Sequence, residues 1–323
     1  MIRTALCEML DIEHPIIQAG MGTSASAQLA AAVSNAGALG SIGNLMRPAA
    51  DLRRQLDLIR DLTQRPYALN HTIPTLDEEA FQLSLDAKPR LMSFALADPG
   101  DYVRRAHDAG ILVMHQVTTV AEAVAAARAG TDIIVAQGGE SGGYSGSIST
   151  MVLVPQVVDA VRPVPVVAAG GIFDGRGFAA ALMLGAVGIN VGTRFLAADE
   201  APIPQAYKEM IAGAASEDTM QFTAFNRILP GLVAGGYDVA IRTLKTDFAE
   251  EWESRLGEVD AQQSLLLEQI GQAAGAGRLQ EIVAPAGQTS GGIRGILSAS
   301  DIVVQLVEEA EAVLNAARGL SLP

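Results

Sequence analysis

Cysteine, aromatic residues and charge are all scarce in this chain of 323 residues. The single cysteine, Cys7, excludes an intrachain disulfide and fits a reducing compartment such as the cytoplasm. Aromatic residues make up only 4% of the chain, so the core must be built mainly from Ala, Val, Ile and Leu, as in buried parallel sheets. Charged residues make up 18% against 49% hydrophobic residues, which argues against disorder.

Positive charge, long apolar runs and metal-binding motifs are scarce or missing as well. The formal net charge of −14 disfavours nucleic acid and anionic membranes as partners. No apolar run reaches the ~20 residues that a membrane span requires, and the N-terminal residues lack the apolar segment of a signal peptide. No HxH, HExxH or Cys/His cluster indicates a metal. We therefore expect a cytoplasmic protein that acts on a small molecule; a homodimer is compatible with the sequence.

Short apolar runs alternate with longer helical patterns over the first two thirds of the chain. Several helical patterns end in Ala-Gly or Leu-Gly, which suits a C-capping glycine that leads into the next strand. The eight runs are candidate parallel strands at 15–18, 38–42, 67–70, 91–95, 111–116, 132–137, 164–169 and 187–191. Eight strand–helix units predict a (β/α)8 TIM barrel. A doubly wound open sheet is the alternative, but no GxGxxG motif follows the first strand.

The pattern changes after the eighth run. Residues 201–295 show no strand pattern and include polar helical stretches at 247–255 and 261–273, so we expect a small helical domain over the barrel mouth. A helix over 300–318, beginning at Ser298 or Ser300, would complete the barrel. The predicted domains are a barrel of residues 1–200 plus 296–323 and a helical cap of residues 201–295.

A phosphate site is predicted at the end of the seventh and eighth strands, where such barrels commonly bind phosphate. Gly170 and Gly171 follow the seventh strand, and Gly192 and Thr193 follow the eighth. Glycines leave backbone N–H groups accessible, which suits a phosphate monoester. The alternative is that these glycines merely turn the chain.

Two side-chain amides end other strands of the predicted barrel. Asn70 ends the third strand and Gln116 ends the fifth. Amides donate and accept hydrogen bonds, so they suit a heterocycle with carbonyls and ring nitrogens, such as an isoalloxazine. Alternatively, each amide fixes a neighbouring loop.

A glycine-rich stretch, residues 137–146, follows the sixth strand and has five glycines in ten residues. Such a density predicts a loop rather than a helix or strand, and it lets the backbone approach a ligand closely. Glu140 and Tyr144 are the two groups in this loop that could do chemistry.

The four histidines offer few catalytic candidates. His71 follows the third strand, where a catalytic or substrate-binding role competes with simple loop packing. His115 shares the fifth strand with Gln116 and should point to the opposite face, towards the helices. His14 and His107 are interpreted as structural and surface residues.

Several of these motifs, taken in order, resemble the nitronate monooxygenase family (formerly 2-nitropropane dioxygenases). That family includes FMN-dependent quinone reductases and type II enoyl-acyl-carrier-protein reductases. The resemblance covers residues 5–200 and returns at 287–292. The motifs are Gln18-Ala-Gly-Met21, Asn70, the Gly-Gly-Glu-Ser-Gly-Gly loop, Ala169-Gly-Gly-Ile-Phe-Asp-Gly-Arg176, Asn190-Val-Gly-Thr-Arg-Phe195 and Gly287-Gln-Thr-Ser-Gly-Gly292.

The resemblance implies an FMN-binding TIM barrel with a small helical domain over the flavin. It assigns the phosphate to the glycines and threonine named above, and the ring and ribityl chain to the ends of the other strands. Gln116 stands where some relatives have Lys. The cofactor-binding residues expected on this basis are Gly20, Met21, Gly22, Asn70, Gln116, Gln137, Gly142, Gly143, Ala169, Gly170, Gly171, Gly192, Thr193, Gly287 and Gln288.

Tyr144 departs from the family, which typically has Gly-Gly-His at this point, with the histidine as acid or base beside the substrate. A tyrosine, with an unperturbed pKa of about 10, is a poor base but a usable hydrogen-bond donor to an oxyanion. The leading expectation is oxidation of small nitronates with O₂ on FMN, with Tyr144 and His71 as the catalytic candidates. The alternatives are an NAD(P)H-dependent flavin reductase of quinones or enones, and a flavin-binding module without turnover.

Overall fold

The computed structural model of the chain describes residues 2–233 and 237–320; the ends of the predicted barrel and three residues of the predicted cap lie outside the described residues. The strands are β1 Ile16–Gln18, β2 Gly40–Gly43, β3 Tyr67–Thr72, β4 Leu91–Ala95, β5 Leu112–Val117, β6 Ile133–Gln137, β7 Gly143–Ser145, β8 Val166–Ala169, β9 Gly188–Val191, β10 Thr219–Phe222 and β11 Ala240–Leu244. The α-helices are α1 Ala5–Leu10, α2 Ala27–Asn35, α3 Ala49–Leu62, α4 Glu78–Ala87, α5 Asp101–Asp108, α6 Val120–Arg128, α7 Thr150–Val161, α8 Gly175–Met183, α9 Thr193–Leu196, α10 Gln205–Gly213, α11 Ala224–Ile228, α12 Asp247–Ser254, α13 Val259–Gly275 and α14 Ala299–Ala317.

Eight parallel strands form the predicted barrel. Their order in the sheet is β1-β9-β8-β6-β5-β4-β3-β2. A parallel bridge between Ile17 and Leu39, with hydrogen bonds on both sides of it, joins β1 to β2 and closes the ring. The (β/α)8 prediction is therefore confirmed, and the open doubly wound sheet is excluded.

Alternation along the strands creates two layers in the barrel. In β6, Ile133 and Val135 pack inside the barrel with Met114 and Val167. Ile134 and Ala136 of the same strand belong to the outer layer that packs against the helices. Because successive side chains of a strand point to opposite faces, this phase decides which residues at the strand ends reach the barrel mouth.

The segment predicted as purely helical, residues 201–295, also contains two strands. β10 pairs antiparallel with β11, and β11 pairs antiparallel with β7, in the order β10-β11-β7. The expectation of helices alone is thus wrong for 219–222 and 240–244, whereas α12 and α13 confirm the two predicted helical stretches.

The glycine-rich loop contributes the third strand of this sheet, contrary to the prediction that its glycines exclude a strand. Tyr144 pairs with Ile241, and Gly143 pairs with Arg242. A partner strand that lies far away in the sequence supplies the hydrogen bonds that local propensity cannot. The small sheet therefore joins the loop after β6 to the cap segment.

The helix predicted over 300–318 is present as α14, which packs against α8 and α2. It begins after Ser298, whose side chain accepts a hydrogen bond from the backbone N–H of Asp301 at 3.0 Å. Within the described residues, the helices are all too short or too polar to cross a membrane.

Candidate active site

A cavity of about 390 Å³ lies at the carboxyl ends of the barrel strands, between them and the cap segment. Side chains that point into the barrel alternate along each strand, as Ala68, Met114, Val135 and Val167 show. The residue two positions further along each of these strands therefore points into the cavity. All the predicted cofactor-binding residues except Gly287 and Gln288 line the cavity: Gly20, Met21, Gly22, Asn70, Gln116, Gln137, Gly142, Gly143, Ala169, Gly170, Gly171, Gly192 and Thr193.

Backbone N–H groups without acceptors gather at the ends of β8 and β9. Gly170 and Gly171 have φ values of +93° and +70°, which L side chains rarely adopt, so glycine is required there. Among the described residues, the N–H groups of Gly170, Gly171, Gly192 and Thr193 donate to no backbone or side-chain acceptor. We call these four residues the amide cluster. Its free donors suit an oxyanion such as a phosphate.

Gly287 and Gln288 do not line the cavity but form hydrogen bonds to residues next to it. The N–H of Gly287 donates to Thr193 Oγ1 at 2.9 Å, and the N–H of Gln288 donates to the carbonyl of Glu140 at 2.9 Å. A Cβ on Gly287 would lie 2.7 Å from that same carbonyl oxygen. The cap segment is thus fastened to the amide cluster and to the loop after β6.

The polar strand ends form short hydrogen bonds around the cavity. Gln116 Nε2 donates to Gln137 Oε1 at 2.9 Å, and Asn70 Nδ2 lies 3.3 Å from Ser93 Oγ. A Cβ on Gly20 would lie 2.1 Å from Cβ of Asn70, so only glycine fits beside this amide. The floor of the cavity is therefore polar, uncharged and tightly packed.

Tyr144 lies in the cavity wall and is 8% exposed. Its hydroxyl is buried and has no hydrogen-bond partner among the residues that the structure describes. Burial raises the pKa of the phenol, so it stays neutral and acts as a donor rather than a base. An unpaired buried hydroxyl is costly, which favours a ligand as its partner.

Glu140 serves the fold rather than the cavity. Its Oε2 accepts hydrogen bonds from the backbone N–H and the Oγ1 of Thr150, each at 2.9 Å, at the start of α7. This carboxylate caps a helix, and it is not among the residues that line the cavity.

The structure does not place His71 in the cavity, contrary to the expectation for a catalytic residue. β3 extends through His71 to Thr72, and alternation turns its ring outwards, where it is fully buried against Phe81 and Phe94. Burial lowers its pKa to about 4. Asn44 Nδ2 lies 3.2 Å from its Nδ1.

His115 faces outwards, as predicted, and its Nε2 lies 2.7 Å from the hydroxyl of Tyr237. Burial lowers the pKa of His115 to about 4 as well. It is not a lining residue of the cavity, and nor is His71.

Many lining residues were not predicted as site residues, and two groups of them bear on ligand binding. Asn190 lines the cavity, and its buried Oδ1 has no partner in the described part of the chain. Its alternation with the outward-facing Ile189 could have identified it. The other group is an apolar wall contributed by the cap segment, which no local signal marked. Its members, called the cap wall below, are Phe225, Leu229, Leu232, Ile241, Ile270 and Val283.

The lining residues that the structure describes include no Asp, Glu, Lys, Arg or His. Fold and site together define a (β/α)8-barrel protein with a deep, uncharged ligand pocket at the carboxyl ends of its strands. The chain belongs to the nitronate monooxygenase family, whose sequence profile it matches over residues 3–81 and 76–309. This is a family of flavin-dependent oxidoreductases, and the chain is an enzyme of that type.

Relatives with different names are similar to this sequence over about two thirds of the chain or more. A (3aS,4S,5R,7aS)-5-hydroxy-7a-methyl-1-oxo-octahydro-1H-indene-4-carboxyl-CoA dehydrogenase of Mycobacterium tuberculosis is 35% identical over 256 residues, which are 78% of this chain and 69% of that protein. Its namesake from Rhodococcus jostii is 37% identical over 219 residues, 68% of this chain and 62% of that protein, which is less than two thirds of its length. A probable nitronate monooxygenase of Staphylococcus saprophyticus is 33% identical over 267 residues, 68% of this chain and 75% of that protein.

Among solved structures, FabK from Thermotoga maritima superimposes with a TM-score of 0.91 at 33% sequence identity. The alignment covers 99% of this chain and 100% of FabK. The fold therefore extends over the whole length of both chains, cap segment included.

Proposed function

We propose that this protein is an FMN-dependent oxidoreductase that oxidises small, already ionised nitronates with O₂. The observation that carries the proposal is the buried, unpartnered hydroxyl of Tyr144 in a pocket whose described lining is free of charged side chains. A neutral nitroalkane must lose a proton before oxidation, whereas a nitronate has already lost it. A pocket with a donor and no base therefore suits the ionised substrate.

The residues of the pocket fit FMN as the cofactor. The free N–H groups of the amide cluster suit its phosphate, and the side-chain amides of Asn70, Gln116 and Gln137 suit the polar edge of its ring system. When bound, the flavin supplies the redox chemistry, and the protein positions the substrate and tunes the surroundings.

Tyr144 orients the substrate in this proposal. Its hydroxyl donates a hydrogen bond to a nitronate oxygen, and the raised pKa of the phenol keeps the proton on the tyrosine throughout. The cap wall packs beside Tyr144 and excludes water there, which strengthens that hydrogen bond.

Anaerobic stopped-flow spectroscopy on the FMN-loaded protein tests the proposal. A nitronate should bleach the flavin absorbance rapidly, and the corresponding neutral nitroalkane should do so much more slowly. Equal rates for the two would contradict the role of an ionised substrate. A protein that retains no FMN would contradict the cofactor.

A second candidate function is NAD(P)H-dependent reduction of quinones or enones on the same flavin. The cap wall favours it, since six apolar side chains exceed what a small nitronate needs. The substrate in the name of the mycobacterial relative, a bicyclic carboxyl-CoA, is also a larger molecule. Rapid bleaching by NADH or NADPH, without bleaching by nitronates, would select this function.

A further inference from the structure

A second cavity of about 400 Å³ lies outside the candidate active site, between the loop after β8, α14 and the segment 292–297. Three arginines line it: Arg176, Arg194 and Arg294. We call it the arginine cavity. It adjoins the back of the amide cluster, because Thr193 lines the main pocket and the next residue, Arg194, lines the arginine cavity.

Arg194 is the central group of this cavity. The residue is only 6% exposed, and its Nη1 donates to the carbonyl of Gly295 at 2.9 Å. Its Nη2 is buried and has no hydrogen-bond partner within the described residues. A buried guanidinium without a carboxylate partner is costly, so an anion in the cavity would complete its bonding.

The acidic residues of the cavity are already engaged elsewhere. Glu309 Oε2 accepts from the N–H of Gly175 at 2.9 Å, and Asp174 accepts from the N–H of Gly177 at 3.0 Å and from Arg176 Nε at 2.7 Å. Neither carboxylate forms an ion pair with Arg194 or Arg294 among the described contacts. The lining therefore holds three guanidinium charges against two carboxylates, and the excess of one positive charge favours an anion.

Arg294 lies on the rim of the cavity. It is exposed, and no hydrogen bond or ion pair to it is seen within the described part of the chain. Gln305 adds a side-chain amide to the lining. The planar fork of a guanidinium matches the geometry of phosphate and carboxylate oxygens, so Arg194 and Arg294 together present donors that suit a phosphate group.

We propose that the arginine cavity is a second anion site, which binds a phosphate group through Arg194 and Arg294, separately from the flavin. The phosphate is either free inorganic phosphate or the phosphate of a larger nucleotide co-substrate that extends over the rim. The site does not depend on the reaction proposed above.

Calorimetric titration of inorganic phosphate into protein saturated with FMN tests the site, because FMN then fills the amide cluster. Phosphate should bind with one site per chain. Arg294→Gln and Arg194→Lys should each weaken binding roughly tenfold, the usual size of a lost charge-assisted hydrogen bond. Arg294 is exposed, so its variant keeps the test valid if the buried Arg194→Lys variant does not fold.

Arg104→Gln is the matched control, because Arg104 is an exposed arginine of α5 that pairs with Asp101 and Asp108, away from the cavity. It removes the same charge and should leave phosphate binding unchanged. Absence of phosphate binding to the wild-type protein, or equal affinity in wild type and Arg294→Gln, would overturn the proposal. Failure to retain FMN would show in the visible spectrum, and the arginine variants would still assign the phosphate site.

A second titration distinguishes the sources of the phosphate. Adenosine 2′,5′-bisphosphate and adenosine 3′,5′-bisphosphate carry the phosphates of common nucleotide co-substrates without their reactive groups. Binding of either at least tenfold tighter than inorganic phosphate, and sensitive to Arg294→Gln, supports a nucleotide source. Affinities no better than that of inorganic phosphate, with the same sensitivity, support free phosphate as the ligand.

Discussion

The barrel side of the main pocket presents backbone N–H groups and side-chain amides, whereas the cap wall presents aliphatic and aromatic side chains. The barrel side is fixed by elements close in sequence to each residue, namely a strand end followed by glycines. The cap wall is assembled from α11, β11, α13 and the loops between them. Directional donors select one ligand geometry, while apolar contacts tolerate many shapes.

This difference separates cofactor binding from substrate choice. Changes on the barrel side should alter flavin affinity, and changes on the cap side should alter which substrate is oxidised. Tyr144 belongs to both, because its strand pairs with β11 of the cap while its own segment follows β6 of the barrel. The predictions below test whether cofactor binding and substrate choice are separate, beginning with the change that should have the largest effect.

The largest effect is expected for Gly170→Ala. Its φ of +93° is unfavourable for alanine, and the new Cβ would lie 2.5 Å from Ser141 Oγ and 3.0 Å from the Gly138 carbonyl oxygen. We expect a loss of about 2–4 kcal/mol in the free energy of unfolding and at least about tenfold weaker FMN binding. Urea denaturation and quenching of FMN fluorescence measure the two quantities.

Gly130→Ala is the matched control for that change. Gly130 has a φ of +90°, and a Cβ there would meet no atom within 4 Å. It should lose about 1–2 kcal/mol from backbone strain alone and keep full FMN affinity. Equal FMN affinities for the two variants would break the assignment of the amide cluster.

The next effect is the pH dependence of stability, which comes from two buried histidines that face outwards from the barrel. His71 and His115 are buried with pKa values of about 4, against an ordinary value of 6.5, because burial disfavours their charged forms. Between these values the unfolded chain binds more protons than the folded one. Stability is therefore complete above pH 6.5 and falls as the pH drops towards 4, by about 2 kcal/mol for each histidine near pH 5.

Urea denaturation across this pH window measures the loss. In His115→Gln, the free energy of unfolding should fall less steeply below pH 6.5, by the contribution of one protonated histidine. Above pH 6.5 it should change little with pH in the variant and in the wild type. At each pH where both proteins are folded, His115→Gln should bind FMN as tightly as the wild type, since neither histidine lines the pocket. A wild-type stability that does not change below pH 6.5 would contradict the buried neutral histidines.

A smaller effect is expected where the cap segment meets the amide cluster. Thr193→Val removes the Oγ1 that accepts from the buried N–H of Gly287. Leaving this donor unpaired should cost about 1–2 kcal/mol and weaken FMN binding several-fold, because the loop behind the cluster loosens. Thr193→Ser keeps the acceptor and should behave like the wild type. If Thr193→Val and Thr193→Ser were equally stable by thermal denaturation, the hydrogen bond would not fasten the cap.

How far the sequence predicts this molecule depends on the range of the interactions involved. The barrel and its inner floor follow from strand alternation: the phase of Val135 places Gln137, and the phase of Met114 places Gln116. The same rule, applied past the expected end of β3, would have turned His71 outwards. The error came from ending that strand at residue 70.

The cap side was poorly predicted, for a different reason. β7 exists because Tyr144 pairs with Ile241, a residue almost a hundred positions away, and no local pattern contains that pairing. Glu140 was a candidate for chemistry because it lies in a glycine-rich loop. Its carboxylate instead accepts a hydrogen bond from the backbone N–H of Thr150 at the start of the next helix. Long-range packing, rather than residue type, decides such cases.

The smallest change in stability, and the sharpest test of the two sides, is expected for Tyr144→Phe. Because the Tyr144 hydroxyl is buried without a partner, its removal should leave the free energy of unfolding unchanged or raise it by a few tenths of a kcal/mol. Turnover of a nitronate should nevertheless fall about tenfold, the value of one lost hydrogen bond to an anion, with FMN affinity unchanged.

Tyr207→Phe provides the contrast, since this second tyrosine of the pocket donates to the Pro285 carbonyl at 2.9 Å. Its loss should cost about 1 kcal/mol of stability and leave nitronate turnover nearly intact. The two variants thus show opposite patterns in denaturation and in steady-state kinetics. If Tyr144→Phe instead destabilised the protein and kept full turnover, the hydroxyl would serve the fold rather than the substrate.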